Sequence, residues 1–262
     1  MPSLVSATIV TYKGYEKAKE AIASLICHTK EVSLKIFVVD NASGDSTAER
    51  LRQEFKDVEV VENDSNKGFG SGHNTVLPLL ESDYHLIVNP DIVVESDVVS
   101  ELASFLDNNS EVGIVTPKIL NLDSSDQELP KRQPVVAALI GRRILKKTLS
   151  KQVEYYQMKD TDLTKTVDIE FATGCFFMIR TDLFKQLKGF DTRFFLYYED
   201  IDLSRRVLEL MRVVYMPSSY VFHAWERSSA HKFRYFVILV QGMFKYFNKW
   251  GWKIRYNFHT SS

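Results

Sequence analysis

A chain of 262 residues with 45% hydrophobic content is long enough for one large α/β domain, or for such a domain with an appendage, around a single core. Its 33 basic and 34 acidic residues leave a net charge of -1, which offers nucleic acid no bulk attraction. No basic-then-apolar segment opens the chain and no apolar run approaches the roughly 20 residues that span a bilayer, so the expectation is a cytoplasmic protein, at most peripheral on the inner face of the plasma membrane.

Leu4–Val10 reads as a strand. Glu16–His28 follows as a helix with Ala18, Ala21, Ile22, Leu25 and Ile26 on one face, then Leu34–Val39 as a second strand, which together make a βαβ unit. Asp45 or Ser46 can cap the next helix, which carries Leu51 and Phe55. A short strand at Val58–Val61, a helix over Asn74–Leu80, the strand Tyr84–Val88, a helix over Ser96–Leu106 and the strand Gly113–Thr116 come next. Buried strands separated by amphipathic helices call for a mostly parallel sheet covered on both faces. From Asn121 to Asp168 the pattern changes to a Pro-interrupted polar stretch. Within it Leu139, Ile140, Ile144, Leu145 and Leu149 lie among Arg142, Arg143, Lys146, Lys147 and Lys151, as in a basic amphipathic helix. Phe171–Ile179 and Val213–Met216 read as strands. The tail from Lys232 to Trp252 mixes aromatic and basic residues, a pattern that suits either docking on the sheet or contact with a membrane surface. Cys27 and Cys175 sit in apolar stretches without metal-ligand spacing and are expected to be reduced core thiols.

Several positions could carry chemistry. Asp91 closes Asn89-Pro90-Asp91 at the carboxyl end of an apolar strand, where open α/β sheets bind ligands. A hard divalent cation bridging phosphates needs only one or two carboxylates from protein, although the same triplet also makes an ordinary turn. Asp40 ends the second strand on the same edge. Beside Thr11 and Tyr12 it could accept from the imide N–H of a pyrimidine, or serve as a capping residue. The segment Asn66-Lys67-Gly68-Phe69-Gly70-Ser71-Gly72-His73-Asn74 packs three glycines ahead of a helix, allowing close backbone approach to a ligand or merely a turn. Glu199, Asp200 and Asp202 crowd a helix start, where the dipole favours acids whether or not they do chemistry. His223 ends a strand-like run and is either a hydrogen-bonded structural residue or a cation ligand.

Taken in order, Val38-Val39-Asp40-Asn41-Ala42-Ser43, Asn66-Lys67-Gly68-Phe69-Gly70 with Asn74, Asn89-Pro90-Asp91, Thr173-Gly174 and Gly189-Phe190-Asp191 through Glu199-Asp200-Ile201-Asp202-Leu203 resemble the inverting family 2 glycosyltransferases of GT-A fold, in particular bacterial rhamnosyltransferases of cell-surface polysaccharide synthesis. The resemblance covers residues 4 to about 228. It implies a GT-A domain over 1–228, with a donor half to about 118 and an acceptor half from about 119, and a helical extension over 229–262. Thr11, Tyr12 and Asp40 would hold the nucleoside of a dTDP or UDP sugar, with Asn41, Asn66, Gly68, Phe69, Asn74 and Asn89 also on the donor side. Asp91 would bind a divalent cation, Mn or Mg, with His223 near the diphosphate or completing its shell. Asp200 would be the general base on the acceptor hydroxyl, with Glu199 supporting the acceptor, and Gly174, Glu199 and Asp202 would face a glycan or lipid-linked glycan acceptor. Asn89 stands where the family often has an aspartate, which weakens the implied metal affinity. A sugar-nucleotide nucleotidyltransferase is the nearest alternative enzyme, but Thr11-Tyr12-Lys13-Gly14-Tyr15 has too few glycines to wrap a triphosphate. A non-catalytic nucleotide-sugar-binding subunit would have no need of both Asp91 and Asp200.

Overall fold

The computed structural model describes residues 2–145, 147–224 and 232–258. The expected boundary at 228/229, and Lys146 of the basic segment, lie outside these residues.

The first half alternates β1 (Leu4–Thr11), α1 (Tyr15–His28), β2 (Ser33–Asp40), α2 (Thr47–Glu54), β3 (Glu59–Glu62), α3 (Phe69–Asn74), β4 (Tyr84–Val88), β5 (Ile92–Val93), α4 (Val98–Asn108) and β6 (Val112–Leu120). Then come α5 (Val136–Arg143), α6 (Ser150–Tyr156), β7 (Val167–Asp168), β8 (Phe176–Arg180), α7 (Thr181–Gln186), α8 (Glu199–Leu208), β9 (Arg212–His223) and α9 (Lys232–Trp250). The strands form one sheet in the order β3-β2-β1-β4-β8-β6-β9-β5, with β7 against β9. Its long ladders are parallel: β2 and β4 flank β1, β3 joins β2, and β6 pairs with β9. The insertion of β8, antiparallel to both β4 and β6, joins the two parallel parts.

Strand periodicity sends alternate side chains to opposite faces. Val5, Ala7 and Ile9 of β1 pack with Ala18, Ile22 and Leu25 of α1 and Leu102 and Leu106 of α4. On the other face Phe37, Val39 and Ile87 meet Phe184 of α7 and Leu203 and Val207 of α8. A third apolar layer, in which Tyr246 and Phe247 of α9 pack on Phe171, Phe194, Tyr198 and Ile201, fixes the extension to the start of α8. The mostly parallel α/β sheet with helices on both faces, and the added C-terminal helix, are as expected.

Local details differ. The glycine-rich segment is itself helical from Phe69, and the expected Asn74–Leu80 helix shrinks to a single 3₁₀ turn, Leu77–Leu79, because Pro78 cannot supply the amide that continuation needs. The basic amphipathic helix is two short ones, α5 and α6. Phe171–Ile179 enters the sheet only at Phe176, leaving Gly174 in the turn before it, whereas Val213–Met216 is part of the longer β9, irregular around Pro217. Ile26 and Cys27 are exposed, so Cys27 is not a core thiol; Cys175 is buried, and both are free. Ser46 takes the N-cap position of α2 without a side-chain bond, and Asp45, one residue earlier, accepts from Thr47 N–H at 2.9 Å through its Oδ1.

Candidate active site

Thr11 and Asp40 are register partners at the carboxyl ends of β1 and β2, both buried, with Tyr12 exposed beside them. The Asp40 carboxylate accepts from Ser43 N–H at 3.1 Å and from the Ser43 hydroxyl, and Ser43 Oγ in turn accepts from Lys13 N–H at 2.8 Å. This ties the loops after both strands together. Asn41 is a second tie: its Nδ2 donates to Asn66 Oδ1 (3.1 Å) and Gly68 O (3.0 Å), while its Oδ1 accepts from Asn63 Nδ2 (3.1 Å) and Lys67 N–H (3.3 Å). Asn41 and Asn66 therefore shape the glycine-rich loop from within.

That loop reaches the acidic helix start. Gly68 sits at φ +88°, where a Cβ would come within 2.0 Å of Phe195 O, and Phe69 N–H donates to the same oxygen at 2.9 Å. Only glycine fits so close an approach. Gly70 lies against Phe190 and Glu199, and a Cβ on Gly174 would lie 3.1 Å from the Phe69 ring and 3.3 Å from Asp200 Cβ. Asn74 spends its amide on the backbone of Phe190, donating to its carbonyl at 2.7 Å and accepting from its N–H at 2.8 Å. The fold thus brings Gly68, Phe69, Gly174, Glu199 and Asp200 together.

Tyr197 and Tyr198, at φ +69° and +71°, hold the left-handed conformation immediately before α8, a strain that must be offset by the surrounding packing. Gly242 of α9 makes room for the Tyr198 ring. Asp200 Oδ2 accepts from Gly174 N–H (2.9 Å) and Oδ1 from Ile201 N–H (2.8 Å). Burial pushes the Asp200 carboxyl above its ordinary range against these two bonds. Glu199 is raised well above it, by burial first and then by the neighbouring Asp200 charge, and its Oε2 has no hydrogen-bond partner among the described residues. The two acids share their charge poorly, which favours one proton on the pair with Asp200 the better-solvated base. Asp202, expected on the acceptor side, is fully buried and engaged elsewhere: it binds Arg206 Nε (2.8 Å), Lys249 Nζ (2.6 Å) and Trp250 Nε1 (2.8 Å), clamping α9 to α8.

Asp91 and His223 meet at the other wall, where β5 pairs with the end of β9. Cys175 lies between the walls: its carbonyl accepts from Asn89 N–H at 2.8 Å, and burial together with the Asp200 and Asp91 charges pushes its thiol up to about 12. Gln127 Nε2 donates to Asn121 Oδ1 and His223 O, both at 3.0 Å, so its Oε1 is the atom facing His223 Nδ1 at 3.1 Å. On this network Nδ1 carries a proton, and in the neutral imidazole Nε2 keeps a lone pair. That lone pair faces Asp91 Oδ1 at 3.2 Å, both atoms being buried and, among the described residues, without a hydrogen bond. Two acceptors aimed at each other, one imidazole and one carboxylate, fit a divalent cation that takes its remaining ligands from substrate oxygens. Among the described residues no cluster of three or more His, Cys, Asp or Glu side chains forms a closed cage.

Lys131, which sequence patterning did not single out, is buried within electrostatic reach of Asp200. Neither hydropathy nor a motif marks it, since it sits in a Pro-flanked connection.

The sheet is that of a GT-A-type fold. The chain belongs to glycosyl transferase family 2, whose description matches residues 6–188. It is 23% identical over 240 residues to an N-acetylglucosaminyl-diphospho-decaprenol L-rhamnosyltransferase of Mycobacterium tuberculosis, covering 85% of this chain and 76% of that one. It is 24% identical over 236 residues to rhamnosyltransferase WbbL of Escherichia coli, covering 84% and 83%. Among solved structures it resembles GalNAc-T7 with UDP, GalNAc and Mn2+ (TM-score 0.69, 14% identity, 94% of this chain and 48% of that one). It also resembles the mannosyltransferase PcManGT of Pyrobaculum calidifontis with GDP-Man and Mn2+ (TM-score 0.62, 19% identity, 95% and 65%). The chain thus spans about half the length of GalNAc-T7.

Proposed function

We propose that this glycosyltransferase moves a sugar, with L-rhamnose from dTDP-rhamnose as the first candidate, from a pyrimidine-diphosphate donor to a hydroxyl of a lipid-linked glycan in cell-surface polysaccharide synthesis. The observation that carries the reading is that both acids act on Cys175: Asp200 accepts from the Gly174 and Ile201 amides, and Asp91, paired with His223, lies two residues after Asn89, whose N–H binds the Cys175 carbonyl. Asp200 takes the proton of the acceptor hydroxyl as its oxygen attacks the anomeric carbon, and the configuration inverts in that one displacement. Glu199, kept neutral by burial, leaves Asp200 the sole anion of the pair. Thr11, Tyr12 and Asp40 receive the nucleoside, and the Gly68–Phe69 turn closes over the sugar. Asp91 and His223 would hold a divalent cation, Mn or Mg, which when bound supplies charge neutralisation for the departing diphosphate. Rhamnose rests on the names of both relatives, and the lipid-linked acceptor on that of the Mycobacterium tuberculosis enzyme.

A membrane-surface approach is part of this reading. Residues 129–153 and 232–258 contain no Asp or Glu. They are joined by Val136 N–H to Lys253 O (3.0 Å) and Ala137 N–H to Ile254 O (2.9 Å), and they expose Ile144, Phe233, Trp252 and Ile254. Basic and apolar groups on one layer suit an anionic lipid surface. No helix among the described residues is long and apolar enough to cross a membrane.

The test is a panel of dTDP and UDP sugars with MnCl2 and a lipid-diphosphate-linked glycan, scored by acceptor-dependent release of nucleoside diphosphate. Transfer from one of them is the expected result, and silence across the panel overturns the reading. Asp200→Asn should lower kcat at least about 100-fold, the low end for a lost general base, while donor affinity measured by calorimetry stays within about threefold.

A further inference from the structure

We propose that Lys131 is an anion-binding residue of the cleft, contacting phosphate oxygens of a substrate beside Asp200; this deepens the glycosyltransferase reading and rests on it. Lys131 lies in the connection from β6 to α5, bridged to Phe171 and accepting at its carbonyl from Glu170 N–H at 3.2 Å. Three residues beyond Phe171 is Gly174, whose amide holds Asp200. The side chain is therefore carried on the wall that positions the base, and the Asp200 charge is among those that act on it.

Its surroundings do not satisfy an ammonium. Only 7% of the residue is exposed, and among the described residues Nζ donates one hydrogen bond, to Leu129 O at 3.1 Å. No carboxylate lies within ion-pairing distance among the described residues. The Phe171 ring, at 5.9 Å, is at the outer limit of a cation–π contact. Arg142, a second cation, adds repulsion. Burying an ammonium with two of its three donors unspent is unfavourable unless an anion arrives. Phosphate is the anion that the proposed reaction brings into this cleft, either in the donor's diphosphate or in the diphosphate that links an acceptor glycan to lipid.

The experiment compares wild type with Lys131→Met and Lys131→Arg, each verified as folded by circular dichroism and thermal melting. Calorimetry with thymidine and uridine diphosphates, and with the bare nucleosides, is run in MnCl2. Kinetics use one glycan presented either on a short polyprenyl diphosphate or on a neutral alkyl glycoside. If the donor supplies the phosphate, Lys131→Met weakens diphosphate binding at least tenfold and leaves nucleoside binding unchanged. If the acceptor supplies it, KM rises at least tenfold for the diphosphate acceptor and stays level for the alkyl glycoside. In either case Lys131→Arg retains most of the effect of lysine. Values for Lys131→Met within twofold of wild type in both arms overturn the proposal. A wild-type protein that binds diphosphates but transfers no sugar would instead end the glycosyltransferase reading, with the calorimetric arm still deciding Lys131.

Discussion

Replacing Lys131 by methionine should stabilise the ligand-free protein, and the size of the gain follows from the environment of the ammonium. Burial, reinforced by Arg142, lowers its pKa from the ordinary 10.5 to about 8. At about 1.4 kcal/mol for each tenfold change, that gap corresponds to roughly 3 kcal/mol forgone when the charged form is buried at neutral pH. Methionine keeps the unbranched stem but surrenders the bond to Leu129 O, worth about 1 kcal/mol. The expected net gain is about 2 kcal/mol, or roughly 4 °C or more in Tm for a chain of this size. The sign with pH is fixed by linkage. A group whose folded pKa is depressed contributes stability that is present above its unfolded value, 10.5, and lost as pH falls through about 8. Wild type should therefore close most of the gap to Lys131→Met between pH 8 and 10. Thermal melts of both proteins at pH 7, 8.5 and 10, without nucleotide or metal, measure this directly. A variant less stable than wild type at pH 7, or a difference that does not shrink toward pH 10, would refute the argument that the ammonium is held there at a cost.

Other perturbations read other parts of the design. Gly68→Ala must set a Cβ against Phe195 O in a left-handed backbone, so urea titration should register a loss of at least about 2 kcal/mol; a neutral result would mean that the loop does not touch Phe195 in solution. His73 is fully buried between Phe69 and Phe190, its pKa driven well below the ordinary 6.5 by burial and then by His85. Stability from such a group is present above 6.5 and lost as pH falls further, so His73→Leu should flatten the decline in urea midpoint between pH 6.5 and 4.5; parallel pH curves would exclude this. Gln127→Leu removes the acceptor that keeps the His223 proton on Nδ1, and Mn2+ affinity measured by electron paramagnetic resonance should fall about tenfold or more, whereas unchanged affinity would mean that the tautomer is set elsewhere.

The sheet was readable because burial is a property that each residue reports locally: β1, β2 and β4 are apolar runs, and α1 repeats its small and branched residues at helical spacing. The cleft was readable only as an ordered set of motifs, and the roles inside those motifs were not. Asn74 lies in a glycine-rich stretch that suggests ligand contact, yet its amide is committed to Phe190, 116 positions away. Asp202 looks like the equal of Asp200 two residues earlier, but the helical turn sends it toward Arg206 and Trp250 while Asp200 turns to Gly174. Two acids of the same helix start are thus separated in function by which distant segment each one meets, and spacing along the chain carries no record of that. The same reasoning explains why Lys131 escaped notice: a lysine after a proline is unremarkable until the fold bridges it to Phe171 and buries it. Its meaning comes from what its described surroundings lack, a carboxylate within ion-pairing distance of a buried ammonium.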